Sequence, residues 1–140
     1  MKNSILLQGI QREFPHEELQ KWGCYFFTLC VWAMMMGGRI FTNNTDLIAY
    51  YEKCKNNNWI NNKCKIVNPA AILNGLGIKP QVTEIKVCKK IPDDPFYADF
   101  VEHPRWGAHF VLRGQNGYIW DSYAFRSLSD HVHRSYRIAA

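Results

Sequence analysis

The sequence has no two cysteines at the short spacing of a structural zinc site, and its five cysteines are an odd number at irregular intervals. These absences argue against a zinc centre and against a closed set of disulfides. We therefore expect free thiols, as in proteins of a reducing compartment. No motif points to a cofactor, and none is expected.

Long apolar segments are absent as well. The amino terminus has no signal-peptide core followed by small residues, and the longest uncharged run, positions 22–38, is short for a bilayer-spanning helix. We expect a cytoplasmic protein without a membrane span. Action outside the cell would then require lysis or a dedicated secretion system.

Acidic residues are fewer than basic ones, which gives a net charge of +5 and an isoelectric point near 9.0. This balance favours acidic partners. The basic residues are scattered and form no stripe with interleaved aromatic residues, so nucleic acid is not the expected partner. Repeats and linkers are also lacking, and 140 residues, 47% of them hydrophobic, predict one domain over residues 1–140.

The order of predicted elements, helices first and strands later, predicts an α+β fold. The uncharged run predicts a buried helix from Cys24 to Met36 that ends at Gly37-Gly38. Asn44 or Thr45 is predicted to cap a second helix, and further helices are predicted to begin at Pro69 and after Asp94. Strands are predicted at 5–7, 82–88, 107–112, 118–120 and 136–138.

Cys24 stands at the start of the predicted buried helix, directly after Gly23. A helix N-terminus favours the ionised thiolate, which is the nucleophilic form of cysteine. Gly23 allows a sharp backbone turn and leaves room for a substrate carbonyl. The alternative is an inert cysteine, because free cysteine is among the most buried residue types.

A histidine and an aspartate are predicted to meet across the hairpin that follows. The Asn116-Gly117 turn pairs Arg113 with Tyr118 and places His109 beside Asp121. The carboxylate can then fix the imidazole tautomer and leave the other ring nitrogen for a thiol. The alternative is a structural histidine bonded to a nearby acid.

Acyl transfer also needs hydrogen-bond donors for the oxyanion. The backbone N–H of Cys24 is one candidate, and the side-chain amide of Gln8, Gln11 or Gln20 is another. Trp106 can line a substrate groove or pack in the core. The pair His131 and His133 lacks a third metal ligand at a diagnostic spacing, so a solvated turn is expected there.

A Gln, spacer, Gly-Cys pattern before an apolar helix, followed by His-Phe-Val-Leu and Gly-Tyr-Ile-Trp-Asp at 117–121, resembles the papain-like cysteine peptidase superfamily. It is most similar to the bacterial branch of bacteriocin-leader peptidases and their relatives among phage and cell-wall enzymes. The resemblance implies a Cys-bearing helix packed on a small antiparallel sheet. It implies these roles: nucleophile Cys24, general base His109, orienting Asp121, and an oxyanion amide from Gln8 or alternatively Gln11.

The resemblance predicts a peptidase or amidase that acts on a peptide or peptidoglycan-like substrate through a thiol acyl-enzyme. Tyr25 stands where the family often has glycine, and Gln8 lies further from Cys24 than in the tightest members. These departures favour the alternative, a catalytically inactive binding or effector module of papain-like shape. The sequence does not indicate an oligomeric state.

Overall fold

A computed structural model describes residues 3–125 and 127–140 and has α+β architecture. A 3-10 turn at Ile10–Glu13 precedes four helices: α1 (Glu17–Trp22), α2 (Cys24–Met35), α3 (Asn44–Asn56) and α4 (Pro69–Gly75). The strands are β1 (Ile85–Cys88), β2 (Phe96–His103), β3 (Gly107–Gly114), β4 (Ile119–Trp120) and β5 (Val132–Ala139). They form one antiparallel sheet in the order β1-β5-β2-β3-β4.

Helix α2 is the central helix, as its lack of charge predicts. Residues 26–33 are all buried, because a helix that is apolar on every side must be surrounded by other elements. It packs on β3, where the Thr28 hydroxyl donates to the carbonyls of Cys24 at 2.7 Å and Phe110 at 3.2 Å. This contact fixes the start of α2 against the sheet.

The other helix predictions have mixed outcomes. Asn68 caps α4 and Pro69 is its first residue, as predicted. Helix α3 is capped by Asn43, one residue before the first predicted cap, Asn44. The side chain of Asn43 accepts from the N–H of Asp46 at 2.8 Å. The helix predicted after Asp94 is wrong, because that segment forms β2. Its aromatic and β-branched residues pair with two neighbouring strands, and this pairing overrides the cap-like Asp-Pro sequence.

The strand predicted at 5–7 is also wrong. This segment lies against the core without a strand ladder: the N–H of Ile5 donates to the carbonyl of Phe41 at 2.9 Å, and the indole Nε1 of Trp120 donates to the carbonyl of Leu6 at 3.0 Å. Leu6 is buried and Leu7 is exposed. The amino-terminal segment is therefore anchored beside β4.

The predicted hairpin of 107–112 and 118–120 is confirmed as β3 and β4, with a one-residue change of register. Arg113 pairs with Ile119, and Leu112 with Trp120. Extended along β3, this register sets position 109 opposite 123, two residues beyond Asp121. Since strand side chains alternate, His109 and Asp121 face the same side of the sheet. The strands predicted at 82–88 and 136–138 correspond to β1 and to part of β5.

Candidate active site

The start of α2 places Cys24 at the edge of a cleft of about 1240 Å³ between the helices and the sheet. The thiol is half-buried and free. Gly23 joins α1 to α2 in a space that accepts no side chain, because a Cβ there would lie 2.3 Å from the Leu19 carbonyl oxygen. The junction therefore requires glycine at position 23 for lack of space, whereas its backbone, with a φ of −83°, does not need the conformational freedom of glycine.

His109 and Asp121 are both buried and in direct contact. The imidazole Nε2 and the carboxylate Oδ1 are 2.6 Å apart. The carboxylate also accepts from the backbone N–H groups of Tyr123 at 2.9 Å and Phe125 at 3.1 Å. Asp121 is thus held by the loop that follows it, and it fixes the orientation of the imidazole.

The other ring nitrogen of His109, Nδ1, is not used by Asp121, and the Cys24 thiol lies close enough to the imidazole to affect its pKa. Burial disfavours the charged imidazolium, but hydrogen bonds to Asp121 and Cys24 outweigh burial and raise the pKa of His109 to about 9. Burial also opposes ionisation of Asp121, but the bond to His109 and the backbone N–H groups hold its pKa below the ordinary value. A charged imidazolium between a carboxylate and a thiol is the arrangement that activates a cysteine nucleophile.

Gln8, the first choice for the oxyanion amide, forms its side-chain hydrogen bonds with Ile119 and Asp121 instead. Its Oε1 accepts from the N–H of Asp121 at 2.7 Å and its Nε2 donates to the carbonyl of Ile119 at 2.7 Å. Gln8 lines a separate surface depression rather than the cleft of Cys24. Its amide therefore extends the edge of β4 and is not directed at the thiol.

Gln11, the alternative, lies in the cleft with Cys24 and His109 and is fully buried. Its Oε1 accepts from the Ser122 hydroxyl at 2.6 Å, so the amide nitrogen points away from Ser122. That nitrogen donates one hydrogen to the carbonyl of Gln20 at 3.1 Å. The second amide hydrogen and the N–H of Cys24 have no acceptor among the residues that the structure describes.

Tyr25 packs on the sheet. Its ring stacks on that of Phe110 with centroids 3.9 Å apart, and Phe110 stacks in turn on Phe100 at 4.7 Å. Burial raises the pKa of Tyr25 to about 12, so the phenol is neutral at physiological pH. The large residue after Cys24 is explained by this stack, which joins α2 to β3 and β2.

The sequence analysis did not predict that His131 lies in the cleft near His109. It lies in the cleft, with its ring centroid 6.2 Å from that of His109, and its two ring nitrogens are buried without a hydrogen-bond partner in the described part of the chain. His133 instead bonds Asp99 at 2.7 Å. The solvated turn expected for this pair is not observed as such: His131 lies in a bend before β5 with both ring nitrogens buried, and His133 lies on β5 with its ring bonded to Asp99. Trp106 lines the cleft and is 62% exposed.

Within residues 3–125 and 127–140, no group of three or more histidine, cysteine, aspartate or glutamate side chains is arranged to hold a metal ion. In the same ranges, no helix is both long enough and apolar enough to cross a membrane.

The fold and this cleft define an α+β protein with a cysteine, a histidine and an aspartate grouped between a buried helix and an antiparallel sheet. The chain belongs to a family described as a protein of unknown function, DUF261, whose model matches residues 8–139. The matched range includes every candidate site residue named above. Neither a curated protein nor a solved structure shows significant similarity to the chain.

Proposed function

We propose that the protein is a papain-like cysteine hydrolase that cleaves a peptide or amide bond of a peptide or peptidoglycan-like substrate. The observation that carries the proposal is the 2.6 Å contact between His109 Nε2 and Asp121 Oδ1, with Cys24 close enough to the same imidazole to raise its pKa. The papain-like assignment rests on a nucleophile at the start of the central helix, a base on β3 and a carboxylate directly after the neighbouring strand β4.

In the proposed reaction, the Cys24 thiolate attacks the carbonyl carbon of the substrate. The oxyanion of the tetrahedral intermediate accepts from the N–H of Cys24 and from the second amide hydrogen of Gln11. The His109 imidazolium gives its proton to the departing amine, which leaves a thioester on Cys24. Water then attacks the thioester, His109 takes the proton of that water, and the carboxylic acid product is released as the thiolate re-forms.

The test is alkylation by iodoacetamide across pH, with each cysteine followed by mass spectrometry. Because the imidazolium stabilises the thiolate, Cys24 should react at least about tenfold faster at pH 6.5 than Cys64 and Cys88, which are also half-buried. His109→Ala should remove this advantage. His103→Ala, a histidine variant in the same sheet that does not contact Cys24, should retain it.

A substrate assay complements the labelling. Once a cleaved peptide is found, Cys24→Ala or His109→Ala should lower turnover by about a thousandfold or more while the protein stays folded. Cys88→Ala, which changes a half-buried thiol outside the cleft lining, is the matched thiol control. If Cys24 reacts no faster than Cys64 and Cys88 in the folded protein, the proposed hydrolase is wrong, and a binding module without catalysis becomes the preferred interpretation.

A further inference from the structure

The cleft that contains Cys24 has a one-sided charge. Its lining includes five cationic side chains and no carboxylate within the described part of the chain. The cations are Arg12, Lys21, Lys63, Lys65 and Arg137. Lys21 forms an ion pair with Glu17 at 2.9 Å. The other four cations form no ion pair with a carboxylate among the residues that the structure describes. Such a field attracts anionic groups into the cleft.

Two of the cations are presented by a constrained loop. The side-chain oxygen of Asn61 accepts from the backbone N–H groups of Lys63 at 2.9 Å and Lys65 at 3.0 Å. Between them, the Cys64 sulfur donates to a carboxylate oxygen of Glu18 at 3.0 Å. The backbone of the loop is therefore fixed on both sides, while the two lysine side chains are exposed at the cleft.

The carboxylate that anchors this loop does not neutralise the two lysines. Glu18 bonds Lys55 at 2.8 Å and the Tyr51 hydroxyl at 3.0 Å. The bonds to Cys64, Lys55 and Tyr51 hold the pKa of Glu18 at about 2. Among the residues that the structure describes, neither Lys63 nor Lys65 forms an ion pair.

Much of the remaining lining of the cleft is apolar or aromatic. The guanidinium of Arg137 lies over the rings of Phe100 at 5.4 Å and Phe110 at 5.6 Å. Trp22 and Trp106, 66% and 62% exposed, also line the cleft. A ligand that matches this surface combines apolar side chains with carboxylates. A polypeptide has both and also supplies the acyl carbon that Cys24 would attack, which a nucleic acid backbone does not.

We propose that the cleft binds acidic polypeptide segments, in which Asp or Glu side chains near the scissile bond face Lys63 and Lys65. The choice of a polypeptide over a nucleic acid, and its cleavage, rest on the function proposed above, whereas the preference for an anionic ligand rests on the charge of the cleft alone. Two exposed charge pairs together contribute about tenfold in affinity.

The binding test uses Cys24→Ala, so that no turnover occurs, and fluorescence anisotropy of labelled peptides. One peptide alternates Glu with Leu and Phe, and the other has Gln in place of every Glu. We expect the acidic peptide to bind about tenfold more tightly, and salt to reduce the difference. Lys63→Gln combined with Lys65→Gln should remove most of the preference, while Arg12 and Arg137 remain in the cleft. Lys53→Gln combined with Lys90→Gln, which changes two exposed lysines outside the cleft, should preserve it.

Equal binding of the two peptides, or tighter binding of a single-stranded oligonucleotide than of the acidic peptide, would overturn the acidic-polypeptide proposal. Rapid alkylation of Cys24 with either of these results would leave the hydrolase proposal intact. An acidic preference without rapid alkylation would have the opposite meaning, namely that the cleft binds acidic segments and does not cleave them.

Discussion

At the scale of single residues, the contact between His109 and Asp121 couples the charge of the site to folding. The pKa of His109 rises from the ordinary 6.5 to about 9 in the folded protein. The folded state therefore retains a proton that the unfolded chain releases. The resulting stabilisation is complete below about pH 6.5 and is lost as the pH rises through 9.

Asp121→Asn should remove most of this stabilisation. We compare the free energy of unfolding of the wild type with that of the variant at two pH values. The deficit of the variant should be roughly 1 to 3 kcal/mol larger at pH 6 than at pH 10. Urea denaturation at the two pH values measures the difference. Asp93→Asn, which changes an exposed aspartate, should show no such pH dependence. A deficit for Asp121→Asn that is equal at both pH values would contradict the raised pKa.

At the scale of elements, the junction between α1 and α2 sets the position of the nucleophile. Gly23→Ala would bring a Cβ to 2.3 Å from the carbonyl oxygen of Leu19 and 3.0 Å from a ring carbon of Phe27. Since backbone must move to relieve the clash, we expect a loss of about 2 kcal/mol or more in the free energy of unfolding. Slower alkylation of Cys24 should accompany this loss.

The matched control is Gly37→Ala. Gly37 has a φ of +80°, and a Cβ there would meet nothing within 4 Å, so this variant isolates backbone strain from steric clash. Its expected cost is about 1 kcal/mol. Thermal or urea unfolding compares the two variants. A smaller loss for Gly23→Ala than for Gly37→Ala would show that the junction adjusts without strain.

Also at the scale of elements, the register of the β3–β4 hairpin decides whether His109 and Asp121 lie on the same face of the sheet. The Asn116-Gly117 turn correctly predicts the hairpin, but Arg113 pairs with Ile119 rather than Tyr118. A one-residue change moves every side chain of a strand to the other face. The observed register puts His109 and Asp121 on one face, and their contact follows from it.

At the scale of the whole molecule, one buried carboxylate joins three strands. Asp99 on β2 contacts Arg113 on β3 and His133 on β5, each at 2.7 Å, and its side chain is 4% exposed. Removing one partner of a buried charge pair leaves the other without compensation. This cluster therefore holds the centre of the sheet together.

Asp99→Asn should lower the free energy of unfolding by about 1 to 3 kcal/mol, because the strong hydrogen bonds of the buried carboxylate are weakened while Arg113 and His133, 27% and 39% exposed, remain partly solvated. Glu102→Gln provides a comparison on the same strand, because Glu102 pairs with Arg134 at 3.4 Å with side chains 43% and 50% exposed. That variant should cost less than about 1 kcal/mol. Chemical denaturation of both variants at neutral pH measures the difference. Similar losses would mean that the Asp99 cluster has no special role in the sheet.

The sequence by itself determined the features that depend on neighbouring residues. The lack of charge from 22 to 38 indicates the buried helix, Gly23 indicates the break before Cys24, and Asn116-Gly117 indicates the hairpin. From these follow the buried helix with Cys24 at its start and the hairpin near which His109 and Asp121 lie. The contact between His109 and Asp121 depends on the observed strand register, which differs by one residue from the predicted one. Tertiary structure decided what depends on distant partners. Gln11 is oriented by Ser122, Gln8 is engaged by Ile119 and Asp121, and β2 forms through pairing with β3 and β5. Contacts between positions far apart in the chain leave no periodic pattern in the local sequence. The arrangement of the lysines around the cleft also depends on such contacts, so only the tertiary structure decided it.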